Sequence, residues 1–247
     1  MRIALNALLA RFATLFALFI IIQGMALPTS DRNLSSASNS CSDYILLSTR
    51  GIREPQGPSL AFPALIAHVL SALPRGKEVD TPYAATPSVR ETAQGVQWVW
   101  HFVLSTLQQC PHTRFAMLGY SQGALVETMA ATELLDPHNP ASKSAQDALR
   151  AFVFMGNPLR APGRAGNVDE NGTRSNADAK GETVLDYPLL FDGYVQRGKV
   201  LDVCWTGDPI CDAAGIGGLE THRKYGDDAG VQEMGAAFLI EKLGAST

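Results

Sequence analysis

Short, strongly apolar runs alternate with longer amphipathic stretches along most of this chain. Four runs have the length and composition of buried strands: Tyr44–Ser48, Arg114–Gly119, Ala151–Met155 and Lys199–Cys204. Helical spacing of apolar residues lies between and after them: at Leu60–Leu73, from Ser88 to Cys110-Pro111, at Gln122–Leu135 and at Ala229–Leu243. Alternating strands and helices are typical of βαβ units, in which helices cover both faces of a mostly parallel sheet. The pattern predicts one α/β domain, a three-layer sandwich over residues 41–247.

Two local signals refine this outline. Ser88-Val-Arg-Glu91 has the spacing of a capping box and predicts the start of a long helix. The segment from Pro162 to Glu182 is rich in Gly, Asn and Asp without any periodicity, which predicts a polar loop.

The N-terminal segment has a different character from the rest of the chain. Its only charges up to residue 26 are Arg2 and Arg11, and an unbroken apolar run, Phe12–Ile22, leads to small residues ending at Ala26. This is the pattern of a secretory signal peptide over residues 1–26, and the run is shorter than the roughly 20 residues that span a membrane. An uncleaved anchor is the alternative. Residues 27–40 are rich in Ser and Asn, which predicts a flexible tail or pro-segment, and we expect a secreted protein without a stable membrane anchor.

Composition narrows the class of protein. Of the 247 residues, 46% are hydrophobic and 18% charged, which is too apolar for a disordered chain. The formal net charge is −4 and no basic run is present, so electrostatics gives no support for nucleic-acid binding. We expect a monomeric globular protein that does not bind nucleic acid.

An even number of cysteines fits an oxidising compartment. The four cysteines Cys41, Cys110, Cys204 and Cys211 allow three pairings, and spacing favours a short Cys204–Cys211 loop, which leaves Cys41–Cys110 as a long one. Zinc is the alternative, but no C-x-x-C is present and no histidine lies at ligand spacing. We therefore expect two disulfides and no metal. Asn33-Leu-Ser35 and Asn171-Gly-Thr173 are candidate N-glycosylation sites in a secreted protein.

The chemistry is indicated by Gly119-Tyr120-Ser121-Gln122-Gly123, which matches G-x-S-x-G between a predicted strand and a predicted helix. In that context the serine occupies a sharp turn that exposes its hydroxyl, with glycines allowing close packing of the turn. The backbone N–H of Gln122, at the helix N-terminus, is then aimed at a developing oxyanion. A purely structural turn is the alternative to this nucleophile elbow.

A serine nucleophile needs a base and an orienting acid, which follow it in the order Asp or Glu, then His, in this architecture. Of the five histidines, only His222 lies downstream of a carboxylate at a strand end. Asp202 lies inside a strand, whereas Asp208 comes just after it, within the loop bracketed by Cys204 and Cys211. The pattern favours a Ser121–Asp208–His222 triad. Turn formation by Asp208 and a surface position for His222 are the alternatives.

These residues resemble a known family. Leu118–Ala124 (LGYSQGA), Cys204–Cys211 (CWTGDPIC) and His222 resemble the cutinase family of secreted fungal serine esterases, and Thr49–Gly51 with Glu54–Ser59 is similar to its yeast and basidiomycete members. The resemblance implies a small, lid-less α/β-hydrolase without a cofactor, with Ser121 as nucleophile, His222 as base and Asp208 as its orienting acid. It also implies the disulfides Cys41–Cys110 and Cys204–Cys211. The implied substrates are cutin-like polyesters and short- to medium-chain aliphatic esters.

One position departs from the family pattern. The residue after the Arg-Gly turn, where the family has Ser or Thr to complete the oxyanion hole, is Ile52. Its backbone N–H remains available alongside that of Gln122, so we expect weakened catalysis rather than none. The apolar side chains Ile210, Ile216 and Leu219 are candidates to line an open acyl groove, or they simply pack the loop.

Two other functions compete with this interpretation. One is an esterase of acetylxylan type, which would use the same triad on acetylated polysaccharide. The other is a secreted surface-binding protein in which Ile52 has disabled the oxyanion hole, since a fold alone does not determine function.

Overall fold

A computed structural model describes residues 41–135, 138, 141–183 and 189–245 of the chain. The predicted signal peptide (1–26), the predicted tail (27–40) and Asn33 lie outside these described residues.

The centre of the fold is a six-stranded sheet in which every pairing is parallel. In chain order its strands are β1 Tyr44–Thr49, β2 Gly76–Asp80, β3 Arg114–Tyr120, β4 Leu149–Met155, β5 Asn167–Val168 and β6 Val200–Val203. Their order across the sheet is β2-β1-β3-β4-β6-β5. The predicted parallel sheet is therefore confirmed, and all six carboxyl ends lie at one edge.

Helices cover both faces of this sheet. They are α1 Pro63–Ala72, α2 Val89–Gln109, α3 Gln122–Leu134, α4 Ser142–Ala148, α5 Leu189–Gln196, α6 Gly218–His222 and α7 Ala229–Gly244, with a 3₁₀ helix at Lys224–Gly226. Apolar side chains of α1 and α7 pack on one face, and those of α2, α3, α4 and α5 pack on the other. The architecture is the predicted three-layer sandwich.

The central strands show why their sequences are apolar runs rather than alternating patterns. In β1, Ile45 and Leu47 belong to the core under α2 and α3, whereas Tyr44 and Leu46 belong to the core under α1 and α7. All four are buried, because a parallel sheet with helices on both faces leaves no wet side. The two cores together supply the hydrophobic stabilisation of the domain.

Several short helices and strands were not predicted from the sequence. Strand β2 (GKEVD) is a partly exposed edge strand with mixed polarity, and α4, α5 and α6 are too short for a clear helical period. The prediction of a polar loop over Pro162–Glu182 was wrong at β5, where two residues pair with β6. Helix α1 begins at Pro63 rather than Leu60, since proline is well suited to a first helical position.

The capping box of α2 forms in part. The Ser88 hydroxyl accepts a hydrogen bond from the Glu91 backbone N–H at 3.4 Å, as the spacing predicts. The Glu91 carboxylate, however, accepts from the Thr86 hydroxyl rather than from the Ser88 backbone. The start of α2 is thereby joined to the loop that precedes it, which later forms part of the site.

Two disulfides fasten opposite edges of the sheet, and both have the predicted pairing. Cys41–Cys110 joins the chain just before β1 to the end of α2, at the amino edge of the sheet. At that same edge the Arg114 guanidinium donates to the Leu243 carbonyl, near the end of α7. Cys204–Cys211 lies at the carboxyl edge, directly after β6.

In the described part of the chain, no helix combines the length and apolar character that crossing a bilayer requires.

Candidate active site

Ser121 occupies the sharp turn between β3 and α3. Its φ of 53° and ψ of −120° place a non-glycine residue in a strained backbone conformation, as a nucleophile elbow requires. A Cβ on Gly119 would lie 2.5 Å from the Ala124 Cα, and one on Gly123 would lie 1.9 Å from the Thr49 carbonyl oxygen. Both glycines are therefore needed to let the turn pack against its neighbours.

The predicted acid and base form a direct pair. Asp208, in the loop after β6, is fully buried, and its Oδ2 lies 2.8 Å from Nδ1 of His222, the last residue of α6. An ionised carboxylate can only accept, so Nδ1 of His222 carries the proton and the neutral ring keeps Nε2 as an acceptor. The other oxygen, Oδ1, accepts from the Ile210 backbone N–H at 2.9 Å.

Several contacts bring this pair to the serine turn. The His222 ring stacks on Tyr120, with centroids 5.0 Å apart, and the Tyr120 hydroxyl donates to the His222 carbonyl at 2.9 Å. The Ser121 backbone N–H donates to the Met155 carbonyl at 2.9 Å, and a Cβ on the next residue, Gly156, would lie 2.5 Å from His222 Cε1. His222 therefore packs against Tyr120, which precedes the serine, and lies close to Gly156, which follows the residue that bonds to the serine backbone. Its ring makes no hydrogen bond to Ser121 in this structure.

Tyr225, in the 3₁₀ helix, is the third hydrogen-bond partner of Asp208. It was not predicted from the sequence. Its fully buried hydroxyl donates to Asp208 Oδ2 at 2.5 Å and accepts from the Trp205 backbone N–H at 2.9 Å. Burial, reinforced by the neighbouring Asp208 charge, raises the pKa of Tyr225 well above its usual range. Its place three residues after His222 was the available signal in the sequence.

The loop after β1 offers the second backbone donor of the predicted oxyanion hole. The Ile52 N–H has no hydrogen-bond partner among the described residues, and the Ile52 side chain is 37% exposed. Around it, Arg50 donates to the Thr81 carbonyl at 3.1 Å. The Glu54 carboxylate accepts from the backbone N–H groups of Gly51 and of Leu60, the latter at 2.7 Å. The loop is thus held by a buried cation and a carboxylate on either side of Ile52.

The Gln122 side chain fastens the serine turn to the loop before α2. Its Nε2 donates to the Thr86 carbonyl at 2.6 Å and to the Thr92 hydroxyl at 3.0 Å. In the same region the Arg53 N–H donates to the Ala85 carbonyl at 2.8 Å. The three non-glycine residues with positive φ in the described chain, Arg53, Ala85 and Ser121, all lie in these joined loops. Backbone strain is therefore concentrated at the candidate site.

A buried carboxylate lies behind the turn. Glu127 of α3 is fully buried, and its Oε1 accepts from the hydroxyl of Thr49, the residue before Arg50. Its other oxygen has no partner among the described residues. Burial raises the pKa of Glu127 to about 8, so the carboxyl group is protonated at neutral pH.

The remaining predicted residues are three apolar side chains between Asp208 and His222 in the chain, and the candidate glycosylation site Asn171 in the polar loop. Ile216 is 97% exposed and Leu219 54% exposed, whereas Ile210 is partly buried in the disulfide loop. Their role in an acyl groove stays a prediction. Asn171 is exposed in the polar loop, and its glycosylation likewise stays a prediction.

Comparison with known proteins identifies the family. Residues 40–243 match the family model described as Cutinase. The chain belongs to the cutinase family. The predicted resemblance is thereby confirmed, and with it the α/β-hydrolase fold class.

Relatives of this cutinase-family chain include solved structures and curated proteins. A cutinase-like protein from Cryptococcus sp. is 34% identical, covers 86% of this chain and 100% of its own, and superimposes with a TM-score of 0.74. Acetylxylan esterase 2 of Talaromyces purpureogenus is 32% identical over 159 residues, which are 62% of this chain and 62% of that protein, less than two thirds of its length. Cutinase 4 of Emericella nidulans is 24% identical over 87% of this chain and 78% of its own.

Proposed function

We propose that this cutinase-family chain is a serine carboxylic ester hydrolase. Ser121 is the nucleophile, His222 the general base and Asp208 the acid that orients it. The observation that carries the proposal is the strained Ser121 turn beside a buried, hydrogen-bonded Asp208–His222 pair. Strain of this kind and a buried carboxylate–imidazole pair are both costly, and they occur together where a nucleophile must be activated.

In the acylation step, Nε2 of His222 accepts the Ser121 proton as Oγ attacks the ester carbonyl carbon. Asp208 holds the ring by its bond to Nδ1 and stabilises the imidazolium that forms. The backbone N–H groups of Ile52 and Gln122 donate to the oxyanion of the tetrahedral intermediate. The imidazolium then gives its proton to the leaving alcohol, and the C–O bond to that alcohol breaks, leaving an acyl group on Ser121.

Deacylation repeats the sequence with water as the nucleophile. His222 takes a proton from water, the hydroxide attacks the acyl carbon, and the proton returns to Ser121 Oγ as the free acid leaves. Both steps use side chains and backbone donors of this chain, so the proposal needs no cofactor.

The proposed substrates are cutin-like polyesters and short- to medium-chain aliphatic esters. Several large apolar side chains near the site are exposed, among them Ile52, Ile216 and Leu219. Exposed apolar surface of this kind favours contact with an aliphatic acyl chain. Ile210, Ile216 and Leu219 are the proposed lining of its groove.

An acetylxylan-type esterase is the second candidate. The relative that favours it is acetylxylan esterase 2, which is 32% identical over the aligned region. Such an enzyme would use the same three side chains with a small acetyl group, and it would not need the apolar groove.

We also propose that the protein is secreted as a monomer, with residues 1–26 as signal peptide, 27–40 as a tail or pro-segment and 41–247 as the catalytic domain. Two disulfides among the described residues support an oxidising destination.

Labelling with a fluorophosphonate probe tests the nucleophile. The native protein should be labelled at Ser121, Ser121→Ala should lose the label, and Ser105→Ala, which changes a serine on α2, should keep it. Persistent labelling of Ser121→Ala would contradict the assignment. No labelling of the native protein would favour the non-enzymatic surface-binding alternative.

A chain-length series of nitrophenyl esters then separates the two candidate substrates. We expect hydrolysis of butyrate and longer esters as well as acetate. Activity confined to acetate, together with release of acetate from acetylated xylan, would instead support the second candidate.

A further inference from the structure

We infer that Tyr225 is a positioning residue of the proposed hydrolase, whose hydroxyl sets the orientation and the charge that Asp208 presents to His222. The inference rests on the proposed function, since it assigns Tyr225 a role within that reaction. Tyr225 itself is fully buried and is not accessible to a substrate, so its effect must pass through Asp208.

The direction of the Tyr225 hydrogen bond follows from counting protons. A hydroxyl has one proton to donate, and the backbone N–H of Trp205 already uses an acceptor position on the same oxygen. The proton therefore points to Asp208 Oδ2, 2.5 Å away. The Cys211 sulfur lies 3.4 Å from the hydroxyl, but it is disulfide-bonded and carries no hydrogen, so it only packs there.

Asp208 thus receives three hydrogen bonds: one from the 3₁₀ helix, one from α6 and one from its own loop. Oδ2 accepts from Tyr225 and from His222 Nδ1, and Oδ1 accepts from the Ile210 N–H. Rotation of the carboxylate would break all three, which fixes its plane relative to the imidazole. Tyr225 and His222 share Oδ2 as acceptor. The hydrogen bond from the hydroxyl therefore partly offsets the negative charge that Oδ2 presents to the imidazole ring.

Tyr225 is in turn held from behind. The Gln232 side chain of α7 donates to the Tyr225 carbonyl at 2.8 Å and to the Ala61 carbonyl at 2.7 Å. A Cβ on the following residue, Gly226, would lie 1.8 Å from the Leu60 carbonyl oxygen, so the 3₁₀ helix packs directly against the segment before α1. The hydroxyl is therefore presented by a rigid support rather than by a mobile loop.

Few ionisable groups lie around this hydroxyl among the residues that the structure describes. Asp208 bonds to it, and the rings of His222 and Tyr120 lie with centroids 6.2 and 6.1 Å from that of Tyr225. Further charges act on Tyr120 from Glu54 and Arg223, and Lys224 lies over Trp205. Removing the Tyr225 hydroxyl leaves all of these charges in place, so its effect on a pH profile reports the bond to Asp208.

The test is Tyr225→Phe, which removes the hydroxyl and keeps the ring. Without the second donor, more of the Asp208 charge faces His222 and the carboxylate loses a restraint. We expect kcat to fall about tenfold with little change in KM. We also expect the acid limb of the kcat/KM profile to move to higher pH by about half a unit, because the imidazolium is stabilised more strongly.

Tyr44→Phe is the matched control. Its buried hydroxyl donates to the Leu73 carbonyl at 2.5 Å, away from the Asp208 cluster, so its loss should affect thermal stability but not the pH profile. Replacement of Tyr225 by 3-fluorotyrosine gives the opposite test, because a more acidic hydroxyl is a stronger donor. The acid limb should then move to lower pH.

Equal acid limbs in the native, phenylalanine and fluorotyrosine proteins would overturn the inference, as would a shift of both variants in the same direction. If Tyr225→Phe fails to fold, the fluorotyrosine protein alone decides by the sign of its shift. Failure of the proposed function is distinct, since it would appear as absent ester hydrolysis and absent Ser121 labelling in the native protein.

Discussion

Two buried aspartates lie six residues apart at the end of β6 and have opposite surroundings. Asp202 pairs with the fully buried Arg160, whose NH1 lies 2.8 Å from Oδ1, and its Oδ2 accepts from the Asn157 side chain at 2.7 Å. Among the described residues, no permanent cation lies at hydrogen-bond distance from Asp208. Its side-chain partners are a tyrosine hydroxyl and a histidine ring.

The two aspartates differ in whether their charge is already balanced in the resting protein. The charge of Asp202 is balanced by the guanidinium of Arg160, which is a permanent cation. In the proposed reaction, the charge of Asp208 is balanced fully only when His222 becomes an imidazolium, which is the species formed as it takes the proton of Ser121. The carboxylate of Asp208 is thus left with an unbalanced charge that the imidazolium of the proposed reaction would balance.

The largest expected effect is that of Asp208→Asn on activity. The amide removes the charge and places a donor against His222 Nδ1, which favours the wrong ring tautomer, so kcat should fall about 10⁴-fold. Asp212→Asn, four residues further along, should retain activity. Steady-state ester hydrolysis measures both, and a loss below tenfold for Asp208→Asn would contradict the proposed role.

Asp202→Asn should produce the converse result, a loss of stability with little loss of activity per folded molecule. It leaves the buried Arg160 without its counter-charge and sets the new amide against the Asn157 amide, at a cost of about 3–5 kcal/mol. Urea unfolding gives the stability, and fluorophosphonate titration counts active molecules. Unchanged stability would remove the structural half of the comparison.

Glu127 is a third case, a buried carboxyl group that forms no ion pair within the described part of the chain. Its folded-state pKa of about 8 lies above the ordinary 4.5, so the folded protein keeps a proton that the unfolded chain releases. The contribution of this proton to the free energy of unfolding is therefore at its maximum below pH 4.5. It should fall by roughly 1.4 kcal/mol per pH unit up to about pH 8.

Glu127→Gln removes this titration. Unfolding curves at several pH values give the free energy of unfolding of both proteins. The value for the variant, relative to that of the native protein, should rise by about 3 kcal/mol between pH 5.5 and 8. A stability difference that stays constant with pH would mean that Glu127 is not protonated in the folded state.

The smallest effect is expected at the proposed oxyanion hole, where Ile52 offers a backbone N–H but no side-chain donor. Ile52→Thr adds a hydroxyl beside the oxyanion, and kcat should rise about tenfold. Ile52→Val has nearly the same shape without the hydroxyl and serves as control. If valine and threonine raise kcat equally, the gain comes from space rather than from a hydrogen bond.

The fold was largely predictable because its central strands are buried on both faces and their apolar runs are unambiguous. The elements that escaped prediction, such as β2 and β5, lie at the sheet edges, where a strand needs few apolar residues. Their pairing is decided by neighbours distant in the chain rather than by local pattern.

The candidate site was predictable where its chemistry constrains the sequence. Ser121, Asp208 and His222 follow from a motif, a strand end and an order along the chain. Tyr225 and Gln122 take their supporting roles from tertiary contacts, with hydrogen-bond partners 17 and at least 30 residues away, which no local spacing encodes.

The Arg114–Leu243 contact and the Cys41–Cys110 bond have a practical consequence for handling this protein. Both ends of the described domain leave from the amino edge of the sheet, whereas the candidate site occupies the carboxyl edge. A linker joined beyond α7 would therefore tether the protein to a bead or to a fused module with its reactive rim turned outward, toward the bulk phase.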